Sequence, residues 1–219
     1  MPYSLAIFDL DGTLVDSFPW FARTINDVAD RFGFRRVAED ELETIRAKST
    51  REILSALQLP LWKVPAVARH MRRLKAEAAA DTPLFPGVPE MLQRLAGHGI
   101  KLALVTSDSQ ANARRKLGAA AGLISHYDCA ASLFGKPARF RRVIRRAGID
   151  REKIVAIGDE VRDVEAARAV GISCGSVAWG YAAPQALRAM QPDFMFERME
   201  DIARELLASS PVAMVSRRR

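Results

Sequence analysis

Leu5-Ala6-Ile7-Phe8-Asp9-Leu10-Asp11-Gly12-Thr13-Leu14-Val15 decides the fold. Its first four residues are continuously apolar, as in a strand buried on both faces of a parallel sheet. Polarity changes abruptly at Asp9, so the strand is expected to end there and a loop to begin. Alternate residues of an extended chain point the same way, which puts the carboxylates of Asp9 and Asp11 on one side. Like charges that close repel unless a cation or a shared proton compensates. Gly12 lets the backbone turn, and Thr13 can hydrogen-bond the new loop. The arrangement suits a divalent cation and one covalent nucleophile.

Two more apolar runs end in polar turns. Leu102 to Val105 runs into Thr106-Ser107-Asp108, and Ile154 to Ile157 runs into Gly158-Asp159. Tyr127 to Ala131, Cys174 to Ala178 and the short Phe194 to Phe196 complete the expected strands. Helical patterns alternate with them. Val88 to Ala96 is stopped by Gly97 and Gly99, a helix capped by Ser109 runs to Leu117, and Ala138 to Ala147 and Val161 to Val170 are each followed by glycine. This alternation predicts an α/β fold with a Rossmann-like, doubly wound parallel sheet. Residues 16–84 break the rhythm with helical segments at Ala22 to Phe32, Glu39 to Lys48, Arg51 to Leu57 and Val64 to Ala80. The expected organisation is a catalytic core from 1–15 and 85–210, an inserted all-helical cap at 16–84, and a basic tail at 211–219. Asp16-Ser17 and Leu84-Phe85-Pro86-Gly87 are the expected hinges. An insertion there lies over the carboxyl ends of the strands, where open α/β sheets bind ligands.

Composition narrows the class. With 219 residues, 49% hydrophobic and 27% charged, the chain reads as an ordinary soluble protein. No apolar run approaches the roughly 18 residues of a membrane span, and the N-terminus lacks a basic-then-apolar leader, so the cytoplasm is the expected compartment. Cys129 and Cys174 have no ligand or redox spacing and read as buried, reduced thiols; His70, His98 and His126 are equally scattered. The net charge of +7 favours acidic partners. However, Arg141-Arg142 and Arg145-Arg146 recur at helical spacing like a solvated face. No aromatic-rich basic stretch points to nucleic acid.

The first motif resembles the DxDGT[LV] nucleophile motif of the haloacid dehalogenase superfamily of phosphohydrolases. Three further pieces follow in that family's order: Thr106-Ser107 at a strand end, Lys136 in Gly135-Lys136-Pro137, and Gly158-Asp159-Glu160-Val161-Arg162-Asp163. The stretch Asp163 to Ile172, then Trp179-Gly180-Tyr181, is similar to the phosphoglycolate-phosphatase-like branch, with a helical cap of the kind inserted after the first strand. The resemblance implies a magnesium-dependent phosphatase acting on a small phosphorylated metabolite. Asp9 would attack phosphorus and must stay ionised, so a metal or lysine has to hold its pKa down. Asp11 would protonate the leaving alcohol and then deprotonate the attacking water, which needs a pKa nearer neutrality; the neighbouring carboxylate and closure of the cap are the expected cause. Magnesium would be held by Asp9, the backbone carbonyl of Asp11 and Asp159, with Asp163 orienting a water of the ion's shell. Glu160 reads as a helix-start carboxylate. Thr106, Ser107 and Gly12 would bind phosphoryl oxygens, and Lys136 would offset both Asp9 and the phosphate.

In the cap, Ile45 to Glu52 resembles the family loop that faces the active site, although Ala47 stands where glycine is frequent. Arg46 and Lys48 are candidates to bind a substrate carboxylate or second phosphate, while Phe18, Trp20 and Phe21 read as cap core. A phosphomutase on the same scaffold would keep every motif. A dehalogenase does not need the second acid, which is present as Asp11. A retired scaffold that binds polyanions is opposed by intact Asp9, Asp11, Lys136 and Asp159. Neither membrane nor nucleic acid is an expected partner, and the chain is expected to be a monomer or homodimer.

Overall fold

The structure, a computed structural model, describes residues 3–46, 48, 50–78, 82–129 and 135–208. The expectations for Ala47, for Ala130 and Ala131, for residues 79–80 and for the tail at 211–219 lie outside the described residues. Strands β1 (Leu5–Phe8), β2 (Lys101–Val105), β3 (Ile124–Asp128), β4 (Ile154–Gly158), β5 (Ser173–Val177) and β6 (Phe194–Phe196) form one sheet in the order β3-β2-β1-β4-β5-β6. Every neighbouring pair is parallel. After β1 the chain builds outward through β2 and β3, then returns to place β4 on the other side of β1. That reversal opens a crevice at the carboxyl ends of β1 and β4, where Asp9 and Asp159 stand.

The alternation of β1 sorts the core. Leu5 and Ile7 join Phe140 and Val143 of α7 (Lys136–Ala147) and Val164 and Ala167 of α8 (Val161–Val170). Ala6 and Phe8 face the opposite layer, with Leu92 of α5 (Val88–Gly97), Leu117 of α6 (Gln110–Leu117) and Ile202 of α10 (Met199–Ala208). Both faces of a parallel sheet must be covered in this way, which is why its central strand reads as an unbroken apolar run. Ser109 caps α6 as expected, accepting from the Asn112 amide at 3.2 Å.

Among the described residues four α-helices, α1 (Phe18–Phe32), α2 (Leu42–Arg46), α3 (Thr50–Ala56) and α4 (Val64–Glu77), lie between β1 and α5. They enclose their own apolar cluster, including Ile25, Val28, Phe34, Leu54, Leu57, Val64 and Val67. Both connections to the sheet are tied together. Val15 and Leu84 form an antiparallel bridge, the Asp16 amide donates to the Pro83 carbonyl at 2.8 Å, and the Phe85 amide donates to the Leu14 carbonyl at 2.9 Å. Among the described residues no helix is long and apolar enough to cross a membrane.

Some boundaries differ from the sequence reading. β3 starts at Ile124, not Tyr127: it is the sheet edge, so Ser125 and His126 interrupt its apolar pattern without interrupting the strand. α1 starts at Phe18, with Pro19 in its first turn where proline lacks nothing by having no N–H. The segment from Glu39 is a short 3₁₀ turn before α2, not one helix. Cys174 is buried, but Cys129 is only half-buried. Arg142 leaves the solvated face assigned to it: its Nε reaches Asp128 Oδ2 at 2.8 Å, and Arg139 Nη1 reaches Asp128 Oδ1 at 2.6 Å.

Two stability predictions follow from these contacts. A Cβ on Gly175 would lie 2.5 Å from Phe196 Cε2. Gly175→Ala should therefore cost about 1–3 kcal/mol, as overpacking does, and lower the urea midpoint; an unchanged midpoint would contradict the packing of β5 on β6. Burial pushes the Asp128 carboxyl up, but its bonds to Arg142 and Arg139 more than reverse this and leave it below the ordinary value. A lowered folded pKa means stability that is present above the unfolded value, near 4 as a rough figure, and lost as pH falls through the folded one. Asp128→Asn should be less stable than the parent at pH ~7, with the gap narrowing in acid. A gap independent of pH would dismiss the ion pair as its source.

Candidate active site

β1 delivers Asp9 to the sheet end in register with β4, its amide donating to the Ile157 carbonyl at 2.9 Å. Lys136, the first residue of α7, reaches Asp9 Oδ2 at 2.7 Å and also pairs with Asp163 Oδ1. Ligand oxygens of Asp9, Asp159 and Asp163 lie within 4.8 Å of one another, and all three residues are buried. One ammonium thus faces three carboxylates. Asp159 has no salt bridge among the described residues; Oδ1 accepts from Thr13 Oγ1 at 2.7 Å and Oδ2 from the Tyr181 amide at 2.8 Å.

The proton affinities reflect this imbalance. Burial pushes the Asp9 carboxyl up, Lys136 opposes it, and Asp163 adds to the rise. Of the two agents expected to hold Asp9 down, a metal or a lysine, Lys136 by itself does not outweigh desolvation. Asp159 is driven well above the carboxylate range by burial, then by Glu160, Asp9 and Asp163. Burial alone would lower the Lys136 ammonium, but Asp163 and Asp9 reverse that and raise it.

Asp163, in the first turn of α8, also accepts at Oδ2 from the amides of Asp159 and Glu160 at 3.1 and 3.0 Å. It clamps the loop that carries Asp159. Glu160 is the N-cap residue of α8 and turns its carboxylate to Arg162. Gly12, at φ +76°, packs where a Cβ would overlap Asp159 and Tyr181. Its amide donates to the Val15 carbonyl at 2.8 Å and closes the turn. Thr106 Oγ1 accepts from the Asp108 amide at 3.0 Å, fixing the loop after β2.

Asp11 departs most from expectation. Its carboxylate pairs with Lys75 of α4, a residue for which the sequence reading gave no role. Burial raises the Asp11 carboxyl, but Lys75 and Lys116 more than offset it and hold it below the ordinary value. The closed cap therefore lowers this pKa instead of raising it. Lys75 also stands 3.9 Å from Asp108 Oδ2, while Arg72 Nη1 donates to the Ser107 carbonyl at 3.4 Å. Lys116 of α6 donates to Thr82 Oγ1 at 2.7 Å and is lowered to about 8, chiefly by burial and then by Lys75. A signal for Lys75 did exist. Val64, Val67, Met71 and Lys75 share the stripe of α4 that faces inward, so a lysine sits on an apolar face.

Arg46 is brought to the core, but as a strap. Its Nε and Nη2 donate to the carbonyls of Tyr181 and Gly180 at 3.1 and 2.8 Å, and its guanidinium lies 4.9 Å from the centre of the Phe18 ring. Its own carbonyl accepts from the Ala183 amide at 2.8 Å. Lys48 lines a small pocket with Phe21, Glu160 and Arg162, away from Asp9. The loop carrying Tyr181 also locks onto the first motif: Trp179 Nε1 donates to the Thr13 carbonyl at 3.2 Å, and the Tyr181 hydroxyl lies 3.0 Å from Ser17 Oγ.

Such a site, with two aspartates after the first strand, a lysine opening one helix and an acidic loop opening another, has relatives. A phosphoglycolate phosphatase of Synechococcus elongatus is 31% identical, over 90% of this chain and 93% of that one. A protein of Dickeya dadantii described as probable phosphatase IndB is 31% identical over 95% and 98% of the two chains. A haloacid dehalogenase-like family protein of Streptococcus pneumoniae shares the fold, with a TM-score of 0.75 and 19% identity over 91% of this chain and 96% of that one. The family model for haloacid dehalogenase-like hydrolases matches residues 6–177, a span that includes Asp9, Asp11, Thr106, Lys136 and Asp159. With the helical insertion falling inside that span as well, the chain belongs to the haloacid dehalogenase-like hydrolase family.

Proposed function

We propose that this hydrolase is a magnesium-dependent phosphatase of small phosphate monoesters, with Asp9 as its nucleophile. The observation that carries the reading is the excess of buried carboxylate around Asp9, with Lys136 as the one ammonium it shares with Asp163. A site one cation short, built of hard oxygen donors, suits magnesium with a phosphate oxygen and waters completing its shell. Asp9, Asp159 and the backbone carbonyl of Asp11 would hold the ion. Asp163, already engaged by two amides and Lys136, would orient its surroundings. When bound, the ion supplies positive charge to the phosphoryl oxygens.

The residues then divide the work. An Asp9 oxygen bonds to phosphorus while the bond from phosphorus to the leaving oxygen breaks. Asp11 gives its proton to that oxygen, so the alcohol leaves neutral. Water then attacks phosphorus, Asp11 takes its proton, and the Asp9–phosphorus bond breaks to release phosphate. Thr106, the Ser107 amide and Lys136 face the charge that spreads over the phosphoryl oxygens. In the closed arrangement Lys75 keeps Asp11 ionised, the state needed in the second half. The dianionic substrate entering beside Asp11 favours the protonated state needed in the first. The hinge bridges at Val15–Leu84 permit the cap to admit substrate and then exclude water.

The relatives named phosphoglycolate phosphatases put 2-phosphoglycolate within the substrate class to be tested. The cytoplasm is the proposed location.

Phosphate release from an aryl phosphate should require magnesium and vanish in Asp9→Asn. Turnover by that variant near the parental rate would remove Asp9 as nucleophile. Lys75→Met leaves Asp11 buried without its partner and weakens closure. It should lower kcat/KM by roughly tenfold or more and speed limited proteolysis at the hinges. Parental values in both assays would exclude a role for Lys75 in closing the cap.

A further inference from the structure

A partly open cleft runs from the end of the sheet into the cap. A cavity of about 630 Å³ starts at Asp11, Ser107 and Asp108 and runs into the cap, where Ile25, Phe34, Leu54, Leu57, Val64 and Val67 wall it. Those six residues belong to the cluster that holds α1, α3 and α4 together. The cap residues that wall it are themselves mostly shielded from solvent, so the cleft reaches well in among the helices. It is in the range of pockets that enclose drug-sized ligands, about 300–1,000 Å³. A two-carbon acid such as glycolate would leave most of it empty.

The wall chemistry is divided. Cations gather at the core end, where Lys75 meets Asp11 and Arg72 meets Ser107. Arg162, paired with Glu160, lies there too. The cap end is apolar except for Arg69, which is exposed on α4. The outer rim is apolar as well: Leu61, 68% exposed, lines the cavity, and its neighbour Trp62 is 77% exposed. Burying a hydrocarbon against such an apolar wall removes apolar surface from water and is favourable. A substrate complementary to this space has an anionic head at Asp11 and a hydrocarbon body in the cap.

We propose that the preferred substrates of this site are phosphate monoesters of bulky apolar alcohols, whose hydrocarbon part occupies the cap cavity while the phosphate meets Asp9 and Asp11. The assignment rests on the phosphatase reading and extends it to a substrate class. Contacts to a remote hydrocarbon are made equally in the ground and transition states, so they act on KM more than on kcat. Each methylene buried in the cavity should improve kcat/KM by about threefold to fourfold.

The test compares ethyl, butyl, hexyl and octyl phosphate with the magnesium-loaded full chain, because the leaving oxygens of these esters are nearly equal in basicity. The expected result is a KM that falls with each methylene at nearly constant kcat. Ala68→Trp projects a large side chain from α4 into the cavity and should erase the trend. A kcat/KM independent of chain length, or a trend that survives Ala68→Trp, would overturn the assignment. In case that variant does not fold, calorimetry on the parent protein compares ethylphosphonate with octylphosphonate. Tighter octylphosphonate binding with a negative heat-capacity change is expected, and equal affinities would overturn the assignment. The two readings fail differently. Hydrolysis with a flat series sinks only the cavity assignment. Absence of hydrolysis for every ester, with octylphosphonate still preferred, sinks the phosphatase reading and with it the substrate assignment, while leaving the cleft as the place that binds the hydrocarbon.

Discussion

Three carboxylates gathered around one lysine at the end of a buried strand are the constraint on which the rest of this structure depends. Burial makes the charged form of each acid costly, and Lys136 is paired with only two of them. Everything nearby serves to hold that arrangement. The parallel register of β1 and β4 sets Asp9 beside the Asp159 loop. Gly12 and Gly180 have no side chain, so the backbone can close around Asp159, and a Cβ at either would overlap it. Asp163 gathers two amides and Lys136, which fixes the loop from below. A bound divalent cation would relieve the remaining excess charge, and its binding would then be linked to the ionisation of Asp9.

The cap is fastened to this centre by charge at one side and by backbone at the other. Lys75 and Arg72 descend from α4 onto the loops after β1 and β2, while Arg46 grips the carbonyls of Gly180 and Tyr181. In the proposed mechanism the Lys75 contact would couple closure to chemistry, since the same ammonium pairs with Asp11 and lowers its pKa. The apolar interior of the cap then continues the site away from the phosphate. On the proposed reading, specificity and catalysis would be separated in space, with Asp11 and Asp108 lining the cleft at its core end.

Much of this was legible in the sequence, for physical reasons. Central strands buried on both faces, such as Leu5 to Phe8 and Ile154 to Ile157, are continuous apolar runs, and the polar residue that ends each one marks the sheet's functional edge. The order of Asp9, Thr106, Lys136 and Asp159 pointed to one end of the sheet because each stands at an element's terminus. β3 was displaced because an edge strand alternates. The cap contacts were not legible, because they depend on how two separately packed units meet. Arg46 looked like a free cation and is a strap. Lys75 had no role assigned to it, although its place on the apolar stripe of α4 was a usable sign. The lowered pKa of Asp11 follows from that contact and from nothing in the motif itself.

The central claim is that Asp9, held beside Lys136 within the carboxylate cluster, becomes covalently phosphorylated during turnover. Acid quenching of the magnesium-loaded protein during steady-state hydrolysis, followed by peptide mass analysis, tests it most directly. The account predicts one phosphoryl group, confined to the peptide that contains Asp9 and released by mild base. Active protein with no phosphoryl group on any peptide, or with the group on another residue, would contradict it.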